Sequence, residues 1–120
     1  MGNPVVHFEI ISSNSDEAQQ FYANLFGWSF NSDNPLQYGA ADTGNGEGGL
    51  GGGIGQPYPG TDDTYVTFYI GVQNVADTLQ QVIASGGSVA MPVIELPGGL
   101  KMAQFSDPFG ARVGLLEIGG

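Results

Sequence analysis

The chain has 120 residues, a formal net charge of −10 and no cysteine, a length that folds as one domain and buries about two-thirds of its unfolded surface without staples. Two basic residues, Lys101 and Arg112, against twelve acidic ones argue against nucleic acid or an anionic membrane surface as a partner, and the missing cysteines exclude disulfides and thiolate metal sites. No apolar run approaches the roughly 20 residues that span a bilayer, and the opening MGNPVVHFEI has neither the basic start nor the long apolar stretch of a secretion signal, so a cytoplasmic location is expected.

Residues 4–11, PVVHFEII, suit a strand, being β-branched and aromatic and followed by the polar cluster SSNSD. Asn14 with Glu17 three residues later opens a helix in the manner of a capping box. Ala18, Phe21, Tyr22, Leu25 and Phe26 recur at the helical period, and Gly27 is placed to stop it. Short strands are expected at WSFN, at LQYGAA and in GGLGGGIG, with the connector QPYPGTDD (residues 56–63) after them. The pattern then begins again. Residues 64–72, TYVTFYIGV, form a strand; Asn74 caps a second helix with the apolar stripe Val75, Leu79, Val82 and Ile83, ended by Gly86 and Gly87. SVAMPVIEL, KMAQFSD and ARVGLLEI complete the set, the last two joined by the turn DPFG.

The order is βαβββ, twice, and an offset of 60 positions relates the halves. It places Val6 on Val66, Phe8 on Phe68, Ile10 on Ile70, Asn14 on Asn74, Gln20 on Gln80 and Gly27 on Gly87: six identities in the 23 positions from Val5 to Gly27, where roughly one or two would arise by chance. The expected architecture is therefore α+β: a single domain of module one (4–55), connector (56–63) and module two (64–119). Each module is too small to bury its own sheet and helix faces, so the pair shares a core and encloses a cup, a partly open barrel.

VVHFEI leading through a capped helix to FYANLFGW, the second helix ending at Ser85-Gly86-Gly87, and the terminal DPFGARVGLLE together resemble the glyoxalase/bleomycin-resistance/dioxygenase group, the vicinal oxygen chelate superfamily. The resemblance implies a cup that holds a divalent metal with side chains of the first, fourth, fifth and eighth strands, and commonly a homodimer. His7 matches the first ligand. The fifth-strand position falls on Thr67, the eighth on Gly114, and the fourth in GGLGGGIG, which has no carboxylate. One implied ligand of four is kept. A tightly bound metal is therefore not favoured; if one binds, His7, Glu9 and Glu117 are the donors to expect, with Glu47 a further candidate. Glu117 lies an odd number of residues past Gly114, which puts it on the opposite strand face unless a bulge intervenes.

His7 and Glu9 are two residues apart and so share a strand face. They are the candidate catalytic pair, able to share a proton, with Glu9 a base or a counter-charge to a cationic group. A carboxylate on a core-facing row costs several kcal/mol unless it is paired or wet. Thr67 and Tyr69, the module equivalents of His7 and Glu9, would add hydroxyl donors, and Trp28, Phe30, Tyr38 and Tyr58 are aromatics available to line a pocket. The glycine run 44–55 does not read as a phosphate loop, since it leads to a proline-rich connector and not to a helix; a strand thinned of side chains, or a flap, fits it better. The expected function is binding of a small organic molecule, cationic or aromatic, without a tightly held metal. The alternative is a metal-dependent glyoxalase-like lyase, isomerase or dioxygenase with a degenerate metal site.

Overall fold

The computed structural model describes residues 2–34, 38–44, 49–57 and 60–118. The elements are β1 (Val5–Ile11), α1 (Ser15–Phe26), β2 (Ser29–Asn31), β3 (Gly39–Asp42), β4 (Gly52–Gly55), β5 (Tyr65–Val72), α2 (Val75–Ala84), β6 (Ser88–Glu95), β7 (Lys101–Ser106) and β8 (Arg112–Glu117). This is the βαβββ order twice, an α+β fold, with every expected element present. The third and fourth strands are shorter than the sequence suggests, starting at Gly39 and Gly52. Among the described residues no helix is long and apolar enough to cross a membrane.

Both helices start as their sequences dictate. The side chain of Asn14 accepts from the Glu17 amide at 3.1 Å, and that of Asn74 from the Asp77 amide at 2.9 Å, each satisfying a donor the helix itself leaves unpaired. The stops use glycine for its freedom at positive φ: Gly27 at 73° and Gly86 at 100°. The second stop thus falls on Gly86, one residue before the position that aligns with Gly27.

The chain divides into two compact units, residues 7–66 and residues 1–6 with 67–120. The boundaries lie between Val6 and His7 and between Val66 and Thr67, a separation equal to the repeat offset. In the first unit the strands lie in the order β2-β3-β4-β1, antiparallel twice and then parallel. In the second the order is β6-β7-β8-β5 with the same senses.

The helix-facing cores differ. In the second unit Val72, Val75, Leu79, Ala103 and Leu115 form a buried aliphatic cluster, with Ile70 and Phe105 packed on it. In the first, α1 buries Ser15 and Gln19, and Gln19 Nε2 donates to the Ile54 carbonyl at 3.3 Å. Three of the five periodic apolar residues of α1 point elsewhere: Phe21, Leu25 and Phe26 are 55%, 61% and 61% exposed.

Candidate functional site

Strand parity sorts the side chains of β1 between two faces. The ring of Phe8 lies over Gly52, where a Cβ would collide with it, and packs against Trp28 with ring centroids 5.4 Å apart. Gly39, paired with Ile54, has the Gln19 side chain against it, so this is the face α1 covers. His7 and Glu9 project from the other one, and Glu9 pairs in register with Gly53.

On this helix-free face the ring of Tyr38 fills the space above Gly53 and Gly55; a Cβ at either glycine would run into it. Tyr38 reaches there from the residue just before β3, and Asn34 holds it. The Asn34 side chain accepts from the Tyr38 amide at 3.0 Å and donates to the Tyr38 carbonyl at 2.8 Å, pairing with that backbone much as a neighbouring strand would.

The Tyr38 hydroxyl donates to Glu9 Oε2 at 2.9 Å and lies 2.9 Å from His7 Nε2. A phenol has one proton. With that proton given to Glu9, the imidazole must supply the hydrogen of the other bond, which places the neutral ring's proton on Nε2. Burial pushes the His7 pKa below its ordinary value, because desolvation disfavours the charged form; the ring is neutral at pH 7. The trio is thus a chain of hydrogen bonds from imidazole through phenol to carboxylate, able to position a polar ligand or to pass a proton.

Each of the other expected site residues has contacts of its own. Trp28 stands in the helix-side cluster, stacked on Tyr22 at 5.2 Å and near Phe26 and Phe30, away from the face of His7 and Glu9. In the second unit, the Thr67 hydroxyl donates to the Arg112 carbonyl at 2.8 Å, and the Tyr69 hydroxyl accepts from Gln104 Nε2 at 2.8 Å. Glu117 Oε1 accepts from the Val75 amide at 3.0 Å: its carboxylate is engaged at the N-terminus of α2, on the opposite face of β8 from Gly114, as the odd spacing requires. Glu47 and Tyr58 lie outside the described residues. The sequence reading counted Tyr38 only among available aromatics and did not single out Asn34. The signal was the alternation Gly51, Gly53, Gly55, an empty strand face that a large side chain from outside the strand must fill.

The donors for a metal ion of the kind the resemblance implies can be tested position by position. On the fourth strand, β4 reads Gly-Gly-Ile-Gly, with the Tyr38 ring in the Cβ space of Gly53. On the eighth, Gly114 pairs with Tyr69 and has the Tyr69 ring in its own Cβ space. On the fifth, the hydroxyl proton of Thr67 is committed to a carbonyl. Among the described residues no three His, Cys, Asp or Glu side chains gather. The residues present do not fit a four-donor site, for two of its positions hold glycines and aromatic rings fill the room their side chains would need.

A separate concavity of about 490 Å³ runs beside α1, lined by residues that include Ile10, Ser13, Phe21, Tyr22, Tyr65 and Val66. It is wide open to solvent, and among its described lining residues there is neither a charged side chain nor any member of the trio, so the polar trio and not this groove is the candidate site.

Comparison with known proteins agrees with the fold. Two mycobacterial proteins named "Putative glyoxylase CFP32", from Mycobacterium tuberculosis and Mycobacterium bovis, are 32% identical over 116 residues, covering 91% of this chain and 43% of theirs; the chain spans less than half the length of these relatives. Among solved structures, hypothetical protein BH1468 from Bacillus halodurans C-125 matches with a TM-score of 0.72 at 14% identity, over 100% of this chain and 97% of that one. The Mn(II)-bound glyoxalase from Novosphingobium aromaticivorans matches with a TM-score of 0.63 at 18% identity, over 97% of this chain and 39% of that one. The model of the Glyoxalase/Bleomycin resistance protein/Dioxygenase superfamily matches residues 5–115, and the chain belongs to that superfamily.

Proposed function

We propose that this chain binds a small organic molecule at the His7, Tyr38 and Glu9 trio, without a resident divalent metal, and that the ligand carries a cationic or polar aromatic group. The observation that carries the reading is Glu9, a carboxylate only 7% exposed on the face it shares with His7, Ile11, the Tyr38 ring and the glycines of β4. Burying a carboxylate opposes folding. The module equivalent, Tyr69, is a neutral side chain at the same position, which supports a binding role for Glu9. The charge of −10 raises the local concentration of cations, and the Tyr38 ring offers an aromatic face to one.

Elemental analysis of protein purified without chelator, with thermal shifts on adding nickel, zinc, manganese or iron, tests the metal half of the reading. No stoichiometric metal and no His7-dependent shift are expected; a stoichiometric metal lost in His7→Ala overturns it. Calorimetry with benzamidinium and its neutral counterpart benzamide tests the other half. Benzamidinium binding that is lost in Glu9→Gln supports it, and equal binding of the two compounds removes the charge preference.

The second reading is a glyoxalase-like lyase, isomerase or dioxygenase using His7 and Glu9, with Glu117 as a further metal donor. Superfamily membership and the imidazole at the first-strand position favour it. The engagement of Glu117 at α2 and the glycines at two ligand positions weigh against it. A homodimer belongs to either reading, supported by the exposed Phe21, Leu25 and Phe26 of α1, an apolar surface of the kind that protein contacts cover.

A further inference from the structure

The phenolic oxygen of Tyr38 stands 2.9 Å from His7 Nε2 and 2.9 Å from Glu9 Oε2. A divalent ion held by that nitrogen and that oxygen would stand about 2.0–2.2 Å from each. The hydroxyl therefore bridges the two side chains as such an ion would, and each would need to move by only about 1 Å to close on an ion at its position. Two further features fix it in that place. Asn34 binds both backbone groups of Tyr38, and the ring rests on Gly53 and Gly55, neither of which has a side chain to displace it.

We infer that Tyr38 is the specificity-determining residue of this site: its ring and hydroxyl fill the place of a cation and tie imidazole and carboxylate to each other, so that the pair serves an organic ligand and excludes a metal ion. The inference rests on the metal-independent reading above and names the residue that decides it. Asn34 is the positioning residue for that role. Gly53 belongs to the same arrangement, since a carboxylate side chain at its position and the tyrosine ring cannot share the space.

Nickel is the probe, because imidazole nitrogen and carboxylate oxygen both suit it. Calorimetry with nickel chloride measures affinity, and paramagnetic broadening of the NMR signals of the chain's one histidine reports where the ion binds. Tyr38→Leu keeps apolar packing on Gly53 and vacates the outer ring and hydroxyl; Tyr38→Ala vacates more. Both are expected to bind nickel on the order of tenfold or more tighter than the wild-type chain, with broadening at His7, and to lose that gain when His7→Ala is added. Tyr38→Phe, which removes the hydroxyl and leaves the ring, gains less. Asn34→Ala gains an intermediate amount, whereas a merely structural role for Asn34 would lower stability and leave nickel affinity unmoved.

If Tyr38→Leu folds, as judged by circular dichroism, and binds nickel no more tightly than a metal-free wild-type chain, the role of Tyr38 is overturned while the metal-independent reading stands. If the wild-type chain itself binds nickel stoichiometrically through His7, both fall. Should Tyr38→Ala not fold, Tyr38→Leu decides the matter alone.

Discussion

Helix α2 buries Val75 and Leu79 in an aliphatic cluster, whereas helix α1, at the same place in its module, buries Ser15 and Gln19 and turns Phe21, Leu25 and Phe26 outward. The sheet faces away from the helices differ in the same sense. In module two, Tyr69 is 2% exposed and bonded to a fully buried Gln104, a neutral pair that completes the packing. In module one, the equivalent row holds Glu9, with half-buried His7 and Tyr38 beside it. A duplicated fold has thus divided its labour: one copy is packed for stability, and the other keeps ionisable groups where packing alone would not place them. The glycines mark the division: Gly53 and Gly114 both make room for a tyrosine ring, and the ring above Gly53 reaches an imidazole and a carboxylate.

The largest effect separating the modules is expected at those glycines. Gly114→Ala drives a methyl group into the body of the Tyr69 ring, beside its Cγ, where a buried and bonded side chain cannot retreat; overpacking of this kind costs about 3 kcal/mol. Gly53→Ala meets the outer end of the Tyr38 ring, which can swing toward solvent, and should cost about 1 kcal/mol. Its main effect should fall on ligand binding. Urea denaturation of the two variants measures both costs, and equal losses would dissolve the distinction between a closed module and an open one.

A smaller contrast is expected at the polar partners. Gln104→Leu leaves the buried Tyr69 hydroxyl without its donor and should cost about 2 kcal/mol. Glu9→Gln keeps an acceptor for the Tyr38 hydroxyl and removes a buried charge, so stability at pH 7 should hold or rise while affinity for a cationic ligand falls. A Glu9→Gln loss as large as that of Gln104→Leu would make the carboxylate a structural group like its counterpart.

The repeat that underlies this contrast was legible in the sequence because it is written in local chemistry. Asn14 and Asn74 cap, glycines stop, and the residues between alternate or recur at the period of their element. His7 and Glu9 were legible as a pair on one face for the same reason. Tyr38 was not, because it stands just before β3, held by Asn34, and not at a strand position, and nothing local says where such a side chain lands. The orientation of α1 was hidden too. Its apolar period shows that a stripe exists, but whether the stripe meets the module's own sheet depends on what the sheet offers, and Gly39 and Ile54 offer a place to Gln19. Trp28 illustrates the limit from the other side: an aromatic beside a strand is equally at home on either face until its neighbours are known.

Acidification should distinguish the modules as well. The unfolded chain protonates His7 near pH 6.5, its ordinary value, while burial holds the folded-state pKa lower. The unfolded state therefore binds more protons in that window, and stability falls as pH drops from about 6.5 toward the folded-state pKa. Module two, with no histidine, contributes nothing to this slope. Melting temperatures of the wild-type chain and His7→Asn between pH 7.5 and 5.5 measure it. The fall should be present in the first and absent in the second; an equal slope in both would trace the effect to carboxylates.

The smallest expected difference lies at the helix starts, where the modules follow one design with different residues. The Ser15 amide donates to Gln56 Oε1 at 2.8 Å, and the Val75 amide to Glu117 Oε1 at 3.0 Å; the acceptors are 61 residues apart, as are Gly53 and Gly114. A carboxylate at a helix N-terminus gains about 0.3–1 kcal/mol from the aligned peptide dipoles, which an amide does not. Glu117→Gln should therefore cost about 0.5 kcal/mol. The reciprocal Gln56→Glu should return less, because α1 already carries Asp16 and Glu17 in its first turn whereas α2 carries Asp77 alone, and the new charge joins a chain at −10. Equal and opposite changes in urea stability would mean that the two termini are electrostatically alike. A larger loss than gain would show that Glu117 acts on the stability of the packed module, as its place behind β8 implies.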